Sequence, residues 1–224
     1  LFTGSLPHSL FHLPNLEIMD FSNNQFGGSI NTTICSSFNW LRVFKLSNNY
    51  FSGEIPRNLG DCSSLQHLSI NKNNLSRSLP ESIFQLQNLN ELYLQDSKLS
   101  GPLSEGVGKL SNLLEIDISN NEFSGILPNI FGGLKIRLKV FSAGSNRFTS
   151  QLPASLVNSP SLQMLNLKIN SLASSVIFNC SALKNIVLIN NQLNCSTLFS
   201  LINCLRLEGI CLGSSDHFNC GEIP

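Results

Sequence analysis

The chain has 224 residues, of which 42% are hydrophobic and only 12% charged, and its 14 basic and 14 acidic residues cancel formally. That balance creates no field to draw nucleic acid or an anionic membrane surface, and the hydrophobic share is too high for a disordered chain. No run of about 18 apolar residues is present to cross a bilayer, and the opening Leu-Phe-Thr-Gly-Ser-Leu-Pro has neither the basic stretch nor the apolar run of a signal peptide.

A self-similar string organises the whole chain. LxxLxLxxNxL, or close apolar equivalents, begins at Leu16, Leu41, Leu65, Leu89, Leu113, Leu138, Leu162, Leu183 and Leu207, at intervals of 25, 24, 24, 24, 25, 24, 21 and 24 residues. Such a period marks a solenoid rather than separate globular domains. In each copy the alternating apolar pair, such as Leu92 and Leu94, predicts a short strand with both leucines inward. Successive copies predict one parallel sheet of about nine strands along the concave face.

The Asn after each strand (Asn24, Asn49, Asn73, Asn121, Asn146, Asn170 and Asn191) is placed to satisfy backbone groups of adjacent turns, because its amide both donates and accepts. Ser97 and Ser215 stand in its place in two copies, where a shorter hydroxyl predicts a looser turn. Phe26, Phe51, Phe123 and Phe148 recur two residues after the Asn and read as a core spine. Ser-Gly-x-Ile/Leu-Pro then follows at Ser52–Pro56 and Ser124–Pro128, with near-matches at Leu79-Pro80 and Leu152-Pro153. Its Gly allows positive φ and its Pro stops a central strand, so the convex side is expected to hold turns and brief helical segments.

Seven cysteines occur, none in a CxxC pair and none beside a His cluster, so no zinc site is read. Cys62, Cys180 and Cys204 share one repeat position and are expected to be free buried thiols. Cys195 and Cys220 lie at similar loop positions in adjacent repeats and are the candidates for a bridge. An odd count leaves at least one thiol unpaired. Sequons at Asn31, Asn74, Asn179 and Asn194, together with the cysteines, predict a secreted, glycosylated setting.

The repeat LxxLxxLxLxxNxLSGxIPxxLxx resembles the plant-specific leucine-rich repeat of receptor kinases and receptor-like proteins, over essentially the whole chain. More narrowly, Gly60-Asp61-Cys62-Ser63-Ser64-Leu65, Phe84–Leu89, Gly108–Leu113, Asn203–Leu207 and the shortened copy before Phe178-Asn179-Cys180 look like the ectodomain of phytosulfokine receptors. The resemblance implies an α/β repeat solenoid: a right-handed superhelix with a concave parallel β-sheet, formed by residues 1–224 as one array. It also implies a place on the extracellular side of the plasma membrane. The expected partners are a peptide ligand, sulphated in the phytosulfokine case, and a co-receptor ectodomain. The chain begins in mid-repeat and stops at Gly221-Glu222-Ile223-Pro224, so it is expected to be an uncapped piece of a longer ectodomain. Receptor-like proteins of plant immunity and secreted inhibitors of cell-wall-degrading hydrolases share the repeat.

Ligands of such a solenoid are expected on the concave strands. One outward column there reads Asp20, Lys45, Ser69, Tyr93, Asp117, Ser142, Asn166, Val187 and Cys211, and the next ends on Gly144, Lys168, Ile189 and Gly213. By the resemblance, Lys168, Asn166 and Cys211 are the candidate ligand contacts, with Lys168 as the cation for an anionic group. Cys211 departs from the polar residue of the family. Glu91, Asp96, Glu115 and Asp117 make the middle acidic. His8, His12, His67 and His217 form no HExxH, and neither a GxSxG nor a phosphate-binding glycine loop is present, so no catalytic, metal or cofactor site is read.

Overall fold

The computed structural model describes residues 1–7, 9–10, 13, 15–31, 35, 40–131, 137–174 and 176–213. Nine three-residue strands line one side: Ile18–Asp20, Val43–Lys45, His67–Ser69, Glu91–Tyr93, Glu115–Asp117, Val140–Ser142, Met164–Asn166, Asn185–Val187 and Gly209–Cys211. They pair in parallel and in chain order. In the first eight the middle residue points inward: Met19, Phe44, Leu68, Leu92, Ile116, Phe141, Leu165 and Ile186 are all essentially buried, while Ile210 of the ninth is exposed. Only one side chain per strand enters the core, because successive side chains alternate across a strand. The two flanking residues therefore stand on the concave surface.

A second parallel sheet, not foreseen from the sequence, runs beside the first. Its nine strands are Thr3–Gly4, Gln25–Gly28, Tyr50–Gly53, Asn74–Arg77, Lys98–Pro102, Glu122–Ile126, Arg147–Gln151, Ser171–Ser174 and Gln192–Leu193, again in chain order. Each coil of a solenoid has two extended legs, and stacking the coils pairs both. Each strand here is anchored by the aromatic or leucine after the Asn, as in Phe51, Leu75, Leu99, Phe123 and Phe148, all buried. Phe123 and Phe148 stack with ring centroids 6.3 Å apart and planes 4° from parallel. The Ser-Gly motif ends this leg: Gly53, Gly101 and Gly125 have φ of +84°, +81° and +79°, a region open to glycine at no steric cost.

The convex side carries short 3-10 helices at Arg57–Asp61, Glu81–Gln85, Glu105–Lys109 and Ser200–Asn203 and one-turn α-helices at Ala154–Val157 and Cys195–Phe199. They are short because neighbouring coils leave little room. A Cβ on Gly60 would lie 2.2 Å from the Ser82 carbonyl oxygen.

The Asn ladder fastens coil to coil. Asn121 Nδ2 donates to the carbonyls of Leu94 (2.9 Å), Ile118 (3.1 Å) and Ser119 (3.1 Å), while its Oδ1 accepts from Leu99 N at 3.0 Å. Asn49, Asn73, Asn146, Asn170 and Asn191 each repeat the arrangement. At Ser97 it fails: the hydroxyl is buried and has no hydrogen-bond partner. Ser215 lies outside the described residues.

The cysteines correct the expectation of free core thiols. Cys62 is bonded to Cys35 and Cys180 to Cys204, with Cα–Cα distances of 5.0 and 4.8 Å. Cys180 and Cys204 share one repeat position in adjacent coils, one sheet spacing apart, which falls inside the 4.4–6.8 Å window a disulfide requires. Cys195 is also disulfide-bonded. Its expected partner Cys220 lies outside the described residues. Among the described residues Cys211 is a free, exposed thiol.

Candidate functional site

Register turns the concave sheet into ordered columns. Val43, His67, Glu91, Glu115, Val140 and Met164 follow one another in one column. Asp20, Lys45, Ser69, Tyr93, Asp117, Ser142, Asn166, Val187 and Cys211 form the next. Side chains 24 residues apart in sequence thus become neighbours about 4.8 Å apart.

The amino-terminal part of this surface satisfies itself. Ser47 and Ser69 both donate to Asn71 Oδ1, at 2.6 and 2.9 Å, and Ser69 and Asn71 are buried. Asp20 and Asp117 each accept from the amide two residues on, Ser22 N at 3.0 Å and Ser119 N at 2.9 Å. Burial alone would raise the Asp20 carboxyl, but the Ser22 amide and hydroxyl and the charge of Lys45 outweigh it and hold the group below the usual value.

The centre is a connected polar group. His67 Nδ1 pairs with Glu91 Oε2. The His67 ring lies 5.5 Å from that of Tyr93, whose hydroxyl donates to Glu115 Oε2 at 2.6 Å. Burial pushes the Tyr93 hydroxyl well above its ordinary pKa, and the bond to Glu115 adds to this. Sequence reading placed Glu91, Glu115 and Asp117 together correctly. It missed His67 and Tyr93 as their partners, although positions 67, 91 and 115 fall one repeat apart. Asp96 stands off this group and accepts from Asn120 Nδ2 at 2.8 Å.

Lys168 and Asn166 lie together two strands beyond Asp117. Asn166 Oδ1 accepts from Lys168 N at 3.3 Å, and its Nδ2 donates weakly to Ser142 Oγ at 3.4 Å. The lysine stem crosses the space above Gly144, where a Cβ would come within 2.9 Å of Lys168 Cγ. Among the described residues Lys168 has no ion-pair partner. Cys211 shares the Asn166 column but is separated from it by Val187. The structure therefore joins two of the three candidates and leaves Cys211 apart. Beside them Met164 and Ile169 are exposed apolar side chains. Asn74, Asn179 and Asn194 are exposed away from the concave strands, and Asn31 is half-buried. Asn194 Oδ1 accepts from Thr197 N at 2.9 Å and so caps the Cys195–Phe199 helix.

Residues 3–208 match the family described as a leucine-rich repeat region. The chain belongs to the leucine-rich repeat proteins. Phytosulfokine receptor 1 of Arabidopsis thaliana is 39% identical over 89 residues, covering 30% of this chain and 9% of the relative. Protein STRUBBELIG-RECEPTOR FAMILY 3 of Arabidopsis thaliana is 41% identical over 68 residues, covering 30% and 8%. The matched stretches thus span less than a tenth of these curated relatives. Among solved structures, the ectodomain of the Arabidopsis thaliana receptor kinase GASSHO1/SCHENGEN3, in complex with CASPARIAN STRIP INTEGRITY FACTOR 2, superposes with a TM-score of 0.82 at 28% identity. It covers 96% of this chain and 27% of its own. The ectodomain of the Arabidopsis receptor kinase HAESA, in complex with an N-terminally extended IDA peptide hormone, gives 0.76 at 30% identity, covering 94% and 39%. This leucine-rich repeat chain resembles plant receptor ectodomains from end to end, as a recognition scaffold and not a catalytic domain. No described helix is long and apolar enough to cross a membrane.

Proposed function

We propose that this leucine-rich repeat chain is the ligand-reading part of a plant cell-surface receptor, displayed outside the plasma membrane, and that its concave sheet holds an extended peptide. The observation that carries this reading is the likeness of nearly the whole chain to receptor ectodomains solved in complex with a partner, which for HAESA is a peptide hormone. The surface agrees in chemistry: it is long, open and divided into a polar half and an apolar half, which suits a chain-like ligand better than a compact one. The finer reading is a sulphated peptide of the phytosulfokine type, with Lys168 facing a sulphate and Asn166 beside it; Cys211 lies at the far edge of that surface. A co-receptor ectodomain as second partner is part of the same proposal, motivated by the HAESA complex that contains SERK1.

An exposed ion pair contributes only about 0–1 kcal/mol, and association must first offset several kcal/mol of lost freedom. The isolated chain should therefore hold the sulphated pentapeptide with a Kd weaker than about 100 μM. An NMR-detected titration tests this. Saturable shifts at Lys168 and Asn166 are expected with the sulphated pentapeptide and not with its unsulphated form, and Lys168→Glu should remove them. Equal responses to both peptides would exclude the sulphate reading. For the extracellular setting, mass spectrometry of the secreted chain should find at least two of Asn31, Asn74, Asn179 and Asn194 glycosylated, and four bare sites would count against it.

A further inference from the structure

His67 is the one imidazole on the concave sheet among the described residues, and the groups around it come from every neighbouring strand. Asp20 and Lys45 approach from Ile18–Asp20 and Val43–Lys45, Glu91 and Tyr93 from Glu91–Tyr93, and Glu115 lies one strand further on. Its side chain is 19% exposed, against 38% for Glu91. A carboxylate only accepts hydrogen bonds, so Nδ1 must carry the hydrogen it shares with Glu91. The neutral ring then has one empty position, Nε2.

We propose that His67 is a proton sensor of the recognition face, taking a proton at Nε2 as the medium acidifies and so changing the charge presented at the centre of the sheet. Uptake cuts the formal charge of His67 taken together with Asp20, Lys45, Glu91, Glu115 and Asp117 from three negative to two. The proton has to come from an acid medium. Burial of the ring disfavours the charged form and Lys45 opposes it as well; Glu91 and Asp20 offset these only in part, and the group titrates below the ordinary histidine value.

The range of the effect is short. Met164 lies four strands from His67, about 19 Å at the sheet spacing, roughly two Debye lengths at physiological salt. Protonation therefore leaves Lys168 nearly untouched and acts on whatever rests over Glu91 and Glu115. Positively charged ligand groups there would be released as the pH falls, and negatively charged ones retained. This consequence rests on the concave sheet being the recognition face; the proton uptake itself does not.

Long-range proton–nitrogen NMR of the full chain with labelled histidine tests the uptake without any ligand. One of the four imidazoles, identified by its loss in His67→Gln, should be the Nδ1–H tautomer at neutral pH and titrate below about 6.5. Glu91→Gln should lower that midpoint further, and it identifies the ring if His67→Gln does not fold. An Nε2–H tautomer, a midpoint at or above the ordinary value, or no response to Glu91→Gln would overturn the proposal. Failure of the sulphated pentapeptide to bind would refute the sulphated-peptide reading and leave this titration intact.

Discussion

Cys180 and Cys204 stand one coil apart with their Cα atoms 4.8 Å from each other, joined by a disulfide that closes 24 residues of chain. The bond's contribution lies in the unfolded chain, which it keeps from opening across one whole repeat. Loops of this size correspond to about 3 kcal/mol. Cys180→Ser with Cys204→Ser should lower the denaturation midpoint by that order while the circular dichroism of the native state is kept. An unchanged midpoint would mean the coil is held by packing alone.

The ladder supplies a paired experiment. Asn121→Leu strands three carbonyls and the Leu99 amide, so a loss of about 3 kcal/mol is expected, whereas Lys168→Leu at the surface should cost under about 0.5 kcal/mol. Ser97→Asn runs the other way. It restores the missing rung between Asn73 and Asn121 and should stabilise the chain by about 1 kcal/mol. Thermal melts of the three variants decide between these signs. Ser97→Asn melting below wild type would show that the coil there has closed around the smaller side chain.

Ile169 is a second departure from the repeat. It adopts φ of +54°, at a position held by Asn23, Asn48, Asp96, Asn120 and Asn190 in five other coils and by Lys72 and Ser145 in two more, so it is the one β-branched residue there. A left-handed backbone costs a side-chain-bearing residue about 1–2 kcal/mol, and asparagine tolerates it best. Ile169→Asn should therefore raise the melting temperature. A lower melting temperature would mean that the exposed isoleucine packs more than it strains.

The leucine period made the first sheet legible, because one apolar residue per strand and a spacing near 24 leave few ways to fold. The second sheet was harder to see. Its strands place a single anchor such as Phe51 or Leu99 in the core among polar residues and glycines, so they show no alternation, and only stacking makes them strands. The disulfides were readable in principle, since Cys180 and Cys204 occupy one column exactly one repeat apart, but the same small buried residue also suits a free thiol. His67 joined Glu91 and Glu115 for the same reason of register. Its pairing partner, tautomer and depth depend on side-chain directions that no periodicity contains.

Recognition on the concave sheet is tested most directly by placing an obstacle there. Asp117→Asn completes an Asn-x-Ser sequon with Ser119 in the middle of that face, and the new side chain can still accept from the Ser119 amide as Asp117 does. Secretion from a glycosylating host would then set a sugar two strands from Asn166. Binding of the sulphated pentapeptide to the glycosylated variant, beside wild type carrying its own sugars, is the measurement. With the added sugar in place binding should be lost, and it should return once an amidase removes the sugar and leaves an aspartate behind. Binding that persists with the sugar attached, or that is absent from the wild type, would contradict recognition on this sheet.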